Sequence, residues 1–459
     1  MYSSFQIVRN LLASIYLYVS VILLLSFPVL GIIVARLLQP RRPRNPRTFP
    51  ALLLSTLWCL TTLLLLQRLN LFFGWWTFTL SGPSICGMPV ELYLGWIILW
   101  ALIPQLVFPM LDLPEVLAIM VIVDIFLTPL HPDVHYRHQA WWVGEFVGLA
   151  IVFIPSWLLT RWTLANTHLN FRATLQVILS GLLFLYFVPE LVFALHPASF
   201  SIFTQHFPSS IFNSSGWSVL LNLHPTPRQV IIQILLLLAV PGVSAVQEFA
   251  QRGHGTPIPY DPPQLLVTSG IYRYCANPMQ FSCAIVMLSW AFVLQSFWLV
   301  VASIVSIIYS VGLATWDEHT DLALRFGTPW KLYRAAVPAW RLRWRPYHAG
   351  PPAQLFIART CGPCSQLRRW LENRSPLGLI FLDAESLPAG SITRLRYDPA
   401  DGSPSVDGIR AFARALEHLN LAWAYCGITL RLPIVWQCFQ LFTDSVGLGP
   451  RKLPSTCPQ

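Results

Sequence analysis

Residues Gly253–Phe281 read GHGTPIPYDPPQLLVTSGIYRYCANPMQF, and this stretch decides how the rest of the chain is read. It is polar, rich in breakers, and carries Pro257, Pro259, Pro262 and Pro263 in the space of seven positions. Proline removes a backbone donor and breaks a helix, so such a run does not cross a bilayer. It forms an ordered, non-helical segment at the membrane surface. Two apolar segments follow, and then the sequence DEHTDLALRFGTPWKLYRAAVPAW from Asp317 to Trp340.

Working outward, the composition is that of a membrane protein. The chain is 55% hydrophobic and 11% charged, with 19 Trp and 28 Phe. These values exclude an ordinary soluble globular domain. The formal charge is +10, but the basic residues lie between apolar runs and not on one polar domain. That distribution suits membrane orientation and gives no nucleic-acid interface.

Apolar runs predict spans at 11–38, 49–69, 90–111, 116–130, 142–162, 173–195, 229–246, 278–297 and 300–316. Most approach the roughly 20 residues that a bilayer requires. The first is too long for a signal peptide and has no small-residue cleavage site, so it reads as a retained span. With about nine spans, the Arg-rich loops fall on one side. These follow the first span (Arg41, Arg42, Arg44, Arg47), the fifth (Arg161, Arg172), the seventh (Arg252, Arg273) and the ninth (Arg325 to Arg345). The positive-inside rule then places the N-terminus outside and the C-terminal segment in the cytoplasm of a cell carrying this protein in its plasma or inner membrane.

The two quoted blocks resemble the isoprenylcysteine carboxyl methyltransferase and phospholipid methyltransferase family of integral membrane enzymes. The shared pattern is GTPxPxxPPxxLVxSGxYRY, then NPM, a hydrophobic hairpin, a Glu, and FGxxYxxYxxxVP. Phe326, Gly327, Tyr333, Val337 and Pro338 match it, Trp330 takes the first Tyr position, and Glu318 stands where the first Glu belongs. The chain departs at Ala276 for Arg, Gln280 for Tyr and His319 for the second Glu. The resemblance implies S-adenosylmethionine as methyl donor, held by Gly270, Tyr272, Asn277, Pro278, Glu318, Trp330 and Tyr333. It also implies an amphiphilic acceptor, lipid or prenyl-type, reached from the bilayer. Arg273 is expected to steady an anionic acceptor through its guanidinium fork. No metal is implied.

After Tyr347–Ala353 (YHAGPPA), a linker by its Pro and Gly, the composition turns soluble. Cys361-Gly-Pro-Cys364 lies between strand candidates at Leu355–Ala358 and Leu377–Leu382, with a helix candidate from Ser365 to Asn373. A hairpin about Asp401-Gly402 and a helix over Ile409–Leu419 complete a thioredoxin-like order. Residues 354–448, including the late DGIRAFARALEHL block, resemble the DCC family of thiol-disulfide oxidoreductases, although Ala358 replaces the Asp that precedes the first Cys in that family. With no second CxxC or His pair at zinc spacing, redox chemistry with a thiol or disulfide protein partner is the expected use of Cys361 and Cys364.

The expected architecture is thus a polytopic α-helical membrane protein with a C-terminal α/β thioredoxin-like domain. Residues 1–228 form a membrane region of unassigned role, 229–346 the methyltransferase-like part, 347–353 the linker and 449–459 a tail. The alternative is a membrane-anchored thiol-disulfide oxidoreductase whose methyltransferase-like part is a non-catalytic binding module. Glu91, Asp124, Glu145 and Glu190 are carboxylates in apolar runs, and His131, Asp133, His135 and His138 form a polar loop cluster.

Overall fold

The structure, a computed structural model, describes residues 47–79, 84–107, 111–127, 134–136, 141–195, 216–257, 263–388 and 391–450. The chain divides into two compact units, Met1–Ser209 with Thr256–Pro262, and Ser210–Gly255 with Pro263–Gln459.

In the first unit, helix α1 (Thr48–Phe73), α2 (Val90–Leu106), α3 (Leu113–Leu127), α4 (Trp141–Leu164) and α5 (Leu169–Phe193) carry the apolar runs. α1 ends where Gly74 takes the left-handed conformation at φ 71° and returns its N–H to the Asn70 carbonyl. Such a C-cap needs no Cβ. α1 and α4 meet through small and polar groups, with the Ser55 hydroxyl on Ser156, as helices pack when lipid supplies no hydrophobic drive between them. Two short ladders close one end: β1 (Trp76–Phe78) with β4 (Val134–Tyr136), and β2 (Ser84–Ile85) with β3 (Met88–Pro89).

Of the carboxylates expected here, Glu190 pairs with Arg68 at 3.1 Å beside the Tyr186 hydroxyl. His135 shares a 2.9 Å hydrogen bond with Thr79. The side chain of Asp124, and His131, Asp133 and His138, lie outside the described residues.

In the second unit a short helix, Gly216–Asn222, precedes α6 (Pro225–Gly253), whose mid-helix Pro241 has no N–H for the Leu237 carbonyl one turn earlier. The Tyr425 hydroxyl takes that carbonyl. Ser282 donates to the next one, Leu238, at 2.7 Å. Gly242 lies against Ser282, so α7 (Pro278–Val293) packs closely on α6. Helix α8 (Phe297–Tyr309) starts at a Ser296 cap, and α9 (Thr315–Ala336) is broken at Gly327, φ 57° and ψ −128°, next to Pro329. The Phe326-Gly327 element of the motif is therefore a backbone corner.

The nine expected spans are not all of spanning length. Among the described residues, four helices are long and apolar enough to cross a membrane: Thr48–Phe73, Trp141–Leu164, Leu169–Phe193 and Pro225–Gly253. Runs 90–111, 116–130, 278–297 and 300–316 correspond to shorter apolar helices, and 11–38 lies outside the described residues. Hydropathy alone does not register breaks such as Gln295 at φ 51°.

Residues 353–407 form a four-stranded sheet of β5 (Ala353–Ile357), β6 (Leu379–Asp383), β7 (Arg396–Asp398) and β8 (Val406–Asp407). Its order is β6-β5-β7-β8. β5 pairs with β6 in parallel, Leu355 opposite Phe381, and antiparallel with β7, Leu355 opposite Tyr397. β7 and β8 form the hairpin turning at Gly402, φ 76°. Helix α10 (Gly362–Glu372) makes the parallel crossover. Helices α11 (Ile409–Leu416), α12 (Leu421–Leu430) and α13 (Val435–Thr443) follow. Leu355, Ile357, Leu371, Ala411 and Leu416 form the core of this sheet and its helices. α12 also joins a second core: Ala424 and Ile428 pack with Val240, Ala245, Ile271, Tyr272 and Tyr274. The C-terminal helices and the Gly253–Phe281 block therefore share one apolar interior.

Candidate functional site

The Gly270–Arg273 turn and the residues up to Pro278 form a short rigid strap with two working faces. On one face it meets α9. The Tyr333 hydroxyl donates to the Tyr272 carbonyl at 2.8 Å, and the Ala276 N–H donates to the Pro338 carbonyl at 3.0 Å. The Cys275 thiol donates to the Ala339 carbonyl at 2.9 Å. Ala276, Trp330, Tyr333 and Val337 form a buried cluster, with Phe326 and Tyr347 against it. Trp330 and Tyr333 lie 5.9 Å apart between ring centroids. Burial pushes the Tyr333 phenol well above its ordinary range, so it remains a donor. Burial also pushes the Cys275 thiol up to about 11, which leaves it a hydrogen-bonding thiol and not a nucleophile.

Asn277 caps α7, its amide donating to Gln280 at 3.2 Å, and Pro278 occupies the first turn, where its missing N–H has no cost. The block thus brings Tyr272 and Ala276 onto Tyr333 and Trp330 from stretches more than fifty residues apart, with Asn277 and Pro278 next in the chain. Glu318 falls on α9; its side chain lies outside the described residues. Tyr333→Phe leaves the Tyr272 carbonyl buried without its donor, so we expect a loss of about 1–3 kcal/mol of stability. A thermal melt of the purified variant, with an unchanged midpoint, would refute that role.

The other face of the strap meets α6 and the C-terminal helices. Gly270 has φ 61°, and a Cβ there would lie 2.8 Å from Cγ of Glu248. Glu248 is fully buried. Its carboxylate accepts Ser269 at 2.7 Å, and pairs with Arg252 at 3.2 Å, Arg414 at 2.5 Å and Arg431 at 2.8 Å. Glu417 pairs with the same two arginines, Arg414 at 3.2 Å and Arg431 at 2.5 Å. Arg252 also reaches Asp401. Burial alone would lower the Arg414 pKa, but the Glu248 and Glu417 carboxylates outweigh it and hold it above the ordinary arginine value.

Arg273 extends to the buried His418, 3.0 Å from its Nδ1. His418 also meets the Leu377 carbonyl at 2.8 Å and the Tyr397 hydroxyl at 3.0 Å. Burial, and then the Arg273 guanidinium, push this imidazole well below its ordinary value, so it is neutral. Tyr274 donates to the Glu417 carbonyl at 3.0 Å.

The ionic group around Glu248 does not follow from the motif. The signal available in the sequence is a lone carboxylate at the end of an apolar helix, one turn before Arg252.

The CxxC pair stands at the start of α10. Cys361 is the N-cap residue, and the Cys364 thiol lies 2.7 Å from its sulfur. Cys364 packs against the core while Cys361 does not. The turn before Cys361 is held by Glu385, whose carboxylate accepts the N–H of Arg359 at 2.9 Å and of Thr360 at 3.0 Å. Partial burial opposes ionisation of Glu385, but the Thr360 and Arg359 amides outweigh it and hold the carboxyl at about 2. Glu385 thus braces the motif from the turn after β6, the strand beside β5, where the Ala358 side chain has no acceptor to offer.

Residues 235–327 match the model of the phospholipid methyltransferase family. No curated protein and no solved structure matches the chain. Together with the four long apolar helices, the family match gives the chain membrane-protein character and a region similar to lipid-modifying methyltransferases.

Proposed function

We propose that the chain is a membrane-embedded, S-adenosylmethionine-dependent methyltransferase for an amphiphilic acceptor of lipid or prenyl type. In this reading a thioredoxin-like thiol-disulfide domain of the DCC kind is attached on the cytoplasmic side, and the N-terminus lies outside. One observation carries the methyltransferase reading. The matched segment 235–327 contains the strap, and its residues close onto Trp330 and Tyr333 just beyond the segment's end.

The residues fit a bound adenosyl group. Such a group needs an apolar aromatic wall and hydrogen-bonding groups at its edge. Trp330, Phe326 and Ala276 supply the first, and Asn277, Gln280 and Glu318 the second. Bound S-adenosylmethionine supplies a methyl group on a sulfonium centre. The chain's contribution is orientation and exclusion of water. Tyr333 locks Tyr272 through its carbonyl, Pro278 starts the helix whose N-cap position is Asn277, and the corner at Gly327 lets α9 turn Trp330 onto Ala276. Gly270 and Arg273 act as positioning residues, since Glu248 occupies the space beside the first and His418 faces the second.

Titration of the purified full chain with S-adenosylmethionine should give a saturable signal, and its absence at millimolar donor would end this reading. Glu318→Ala should weaken donor binding about ten- to a hundredfold, the effect of one lost charge-assisted hydrogen bond. Parent-like affinity would remove Glu318 from the site.

A second reading, in which the membrane part only anchors or binds and thiol-disulfide exchange is the protein's work, is favoured by the adjacent sulfurs and the β6-β5-β7-β8 sheet. In that chemistry the Cys361 thiolate attacks a partner disulfide, forms a mixed disulfide and expels one partner thiolate. The Cys364 thiolate then attacks the Cys361 sulfur, so the pair is oxidised and the partner gains two electrons. Cys361→Ser should abolish mixed disulfides and Cys364→Ser should accumulate them, as read by mass spectrometry. If neither variant differs from the parent, the pair has no such role.

A further inference from the structure

Beside the ion cluster, and lined in part by its Arg414 and Arg431, the second unit contains a cleft of about 230 Å³. Gln247 and Gln251 line it from α6, Arg410 and Arg414 from α11, and Arg431 and Trp436 from the chain around α12 and α13. Among the described residues, none that lines it is acidic.

Arg414 and Arg431 are held by Glu248 and Glu417. Arg410 forms no ion pair among the described residues; its guanidinium lies over the Trp436 ring, 5.5 Å from the centroid. Burial and the neighbouring Arg414 and Arg431 push the Arg410 pKa down, as expected of a cation held among cations. Gln247 and Gln251 are one helical turn apart, so both amides face the same cleft with N–H groups to offer. A half-buried surplus cation, two further guanidiniums and two amides make a wall of donors. Its matching ligand is an anion with several oxygen acceptors.

The volume is below that of a typical site for a drug-sized or nucleotide ligand, which starts at roughly 300 Å³, and suits a phosphate group with a short substituent. The level of the cleft favours one source. The apolar run of α6 ends at Val246, and Gln247 begins its polar end. The segment after Trp436 exposes Phe439, Leu441 and Phe442. Cationic and aromatic groups at such a boundary meet lipid head groups.

We propose that this cleft binds the phosphate of an anionic lipid head group and thereby ties α11 to α6. None of its lining residues belongs to the methyl-donor site, so the proposal stands or falls apart from methyl transfer.

The test uses the full chain in neutral detergent, with binding followed as a shift of the unfolding midpoint, since a ligand of the folded state stabilises it by mass action. The probes are inorganic phosphate, a short-chain phosphatidic acid and the matching diacylglycerol. Saturable binding of phosphatidic acid well below the phosphate concentration needed identifies the lipid head group. Equal response to phosphate alone overturns the lipid head group and leaves a free-anion site. Arg410→Gln should weaken either about tenfold or more. Gln251→Glu, at an exposed position on the opposite wall, should do the same without touching the arginines. No saturable response to either phosphate probe, binding of diacylglycerol as tight as phosphatidic acid, or parent-like binding by both variants overturns the site.

Discussion

Glu248→Gln is expected to destabilise the second unit by about 3–5 kcal/mol, the usual cost of breaking a buried ion pair by removing one partner. The magnitude follows from what remains. Arg414 and Arg431 are nearly fully buried, and each loses one of its two carboxylates, while Arg252 loses its neighbour on the helix. Glu417 alone then faces two guanidiniums. The neutral amide keeps the shape and can still accept from Ser269, so the effect isolates charge and not volume. Replacing the four buried members by apolar residues of similar size should be far milder, because their desolvation penalty disappears with them. The measurement is thermal unfolding of detergent-purified protein with proteolysis of the C-terminal segment as a second readout. A Glu248→Gln protein that melts with the parent would show that the cluster contributes nothing net.

Gly270→Ala is expected to lose about 3 kcal/mol from two sources acting together, a strained backbone and an overpacked site. A residue with a Cβ at φ 61° pays about 1–2 kcal/mol for the left-handed conformation. The new methyl also lies 2.8 Å from Cγ and 2.9 Å from Cδ of Glu248, closer than carbon atoms tolerate. Glu248 has nowhere to go, since Ser269 and three arginines fix it, so relief of the overlap lengthens those bonds. This gives a coupling test. Combined with Glu248→Ala, which empties the space, Gly270→Ala should cost only its backbone part, well short of the sum of the two single effects. Strict additivity would mean that Gly270 serves its turn alone.

Local signals in the sequence carry much of the architecture. Leu355–Ala358, the CGPC turn and the Asp401-Gly402 hairpin each specify a strand or turn within a few residues, and β5, α10 and the β7–β8 hairpin lie there within two or three positions. The motif marks Phe326, Gly327 and Tyr333 in the sequence, but the corner at Gly327 and the Tyr333 bond to the Tyr272 carbonyl come from the structure.

What escapes is pairing at long range. Nothing near Glu248 announces Arg414, and nothing near Arg273 announces His418. Nothing near Pro241 announces that Tyr425 will take the carbonyl the proline leaves open. Span number escapes for a different reason: composition gives the apolarity of a segment, while length depends on single breaks such as that at Gln295 and Ser296.

The stretch after α9 has a mechanical meaning for the thiol pair. The Arg343 N–H is bonded to the Tyr274 carbonyl and the Tyr347 N–H to the Arg273 carbonyl, while the Trp344 carbonyl takes the N–H of Leu421. The chain entering the sheet is stitched to the strap behind it and to the helix ahead of it. Cys361 and Cys364 therefore have no tether on which to search. A flexible connection would let them sweep a volume and raise their effective concentration against many disulfides within reach. On the thiol-disulfide reading proposed above, the pair stays where the second unit holds it, and the partner has to bring its disulfide to that place.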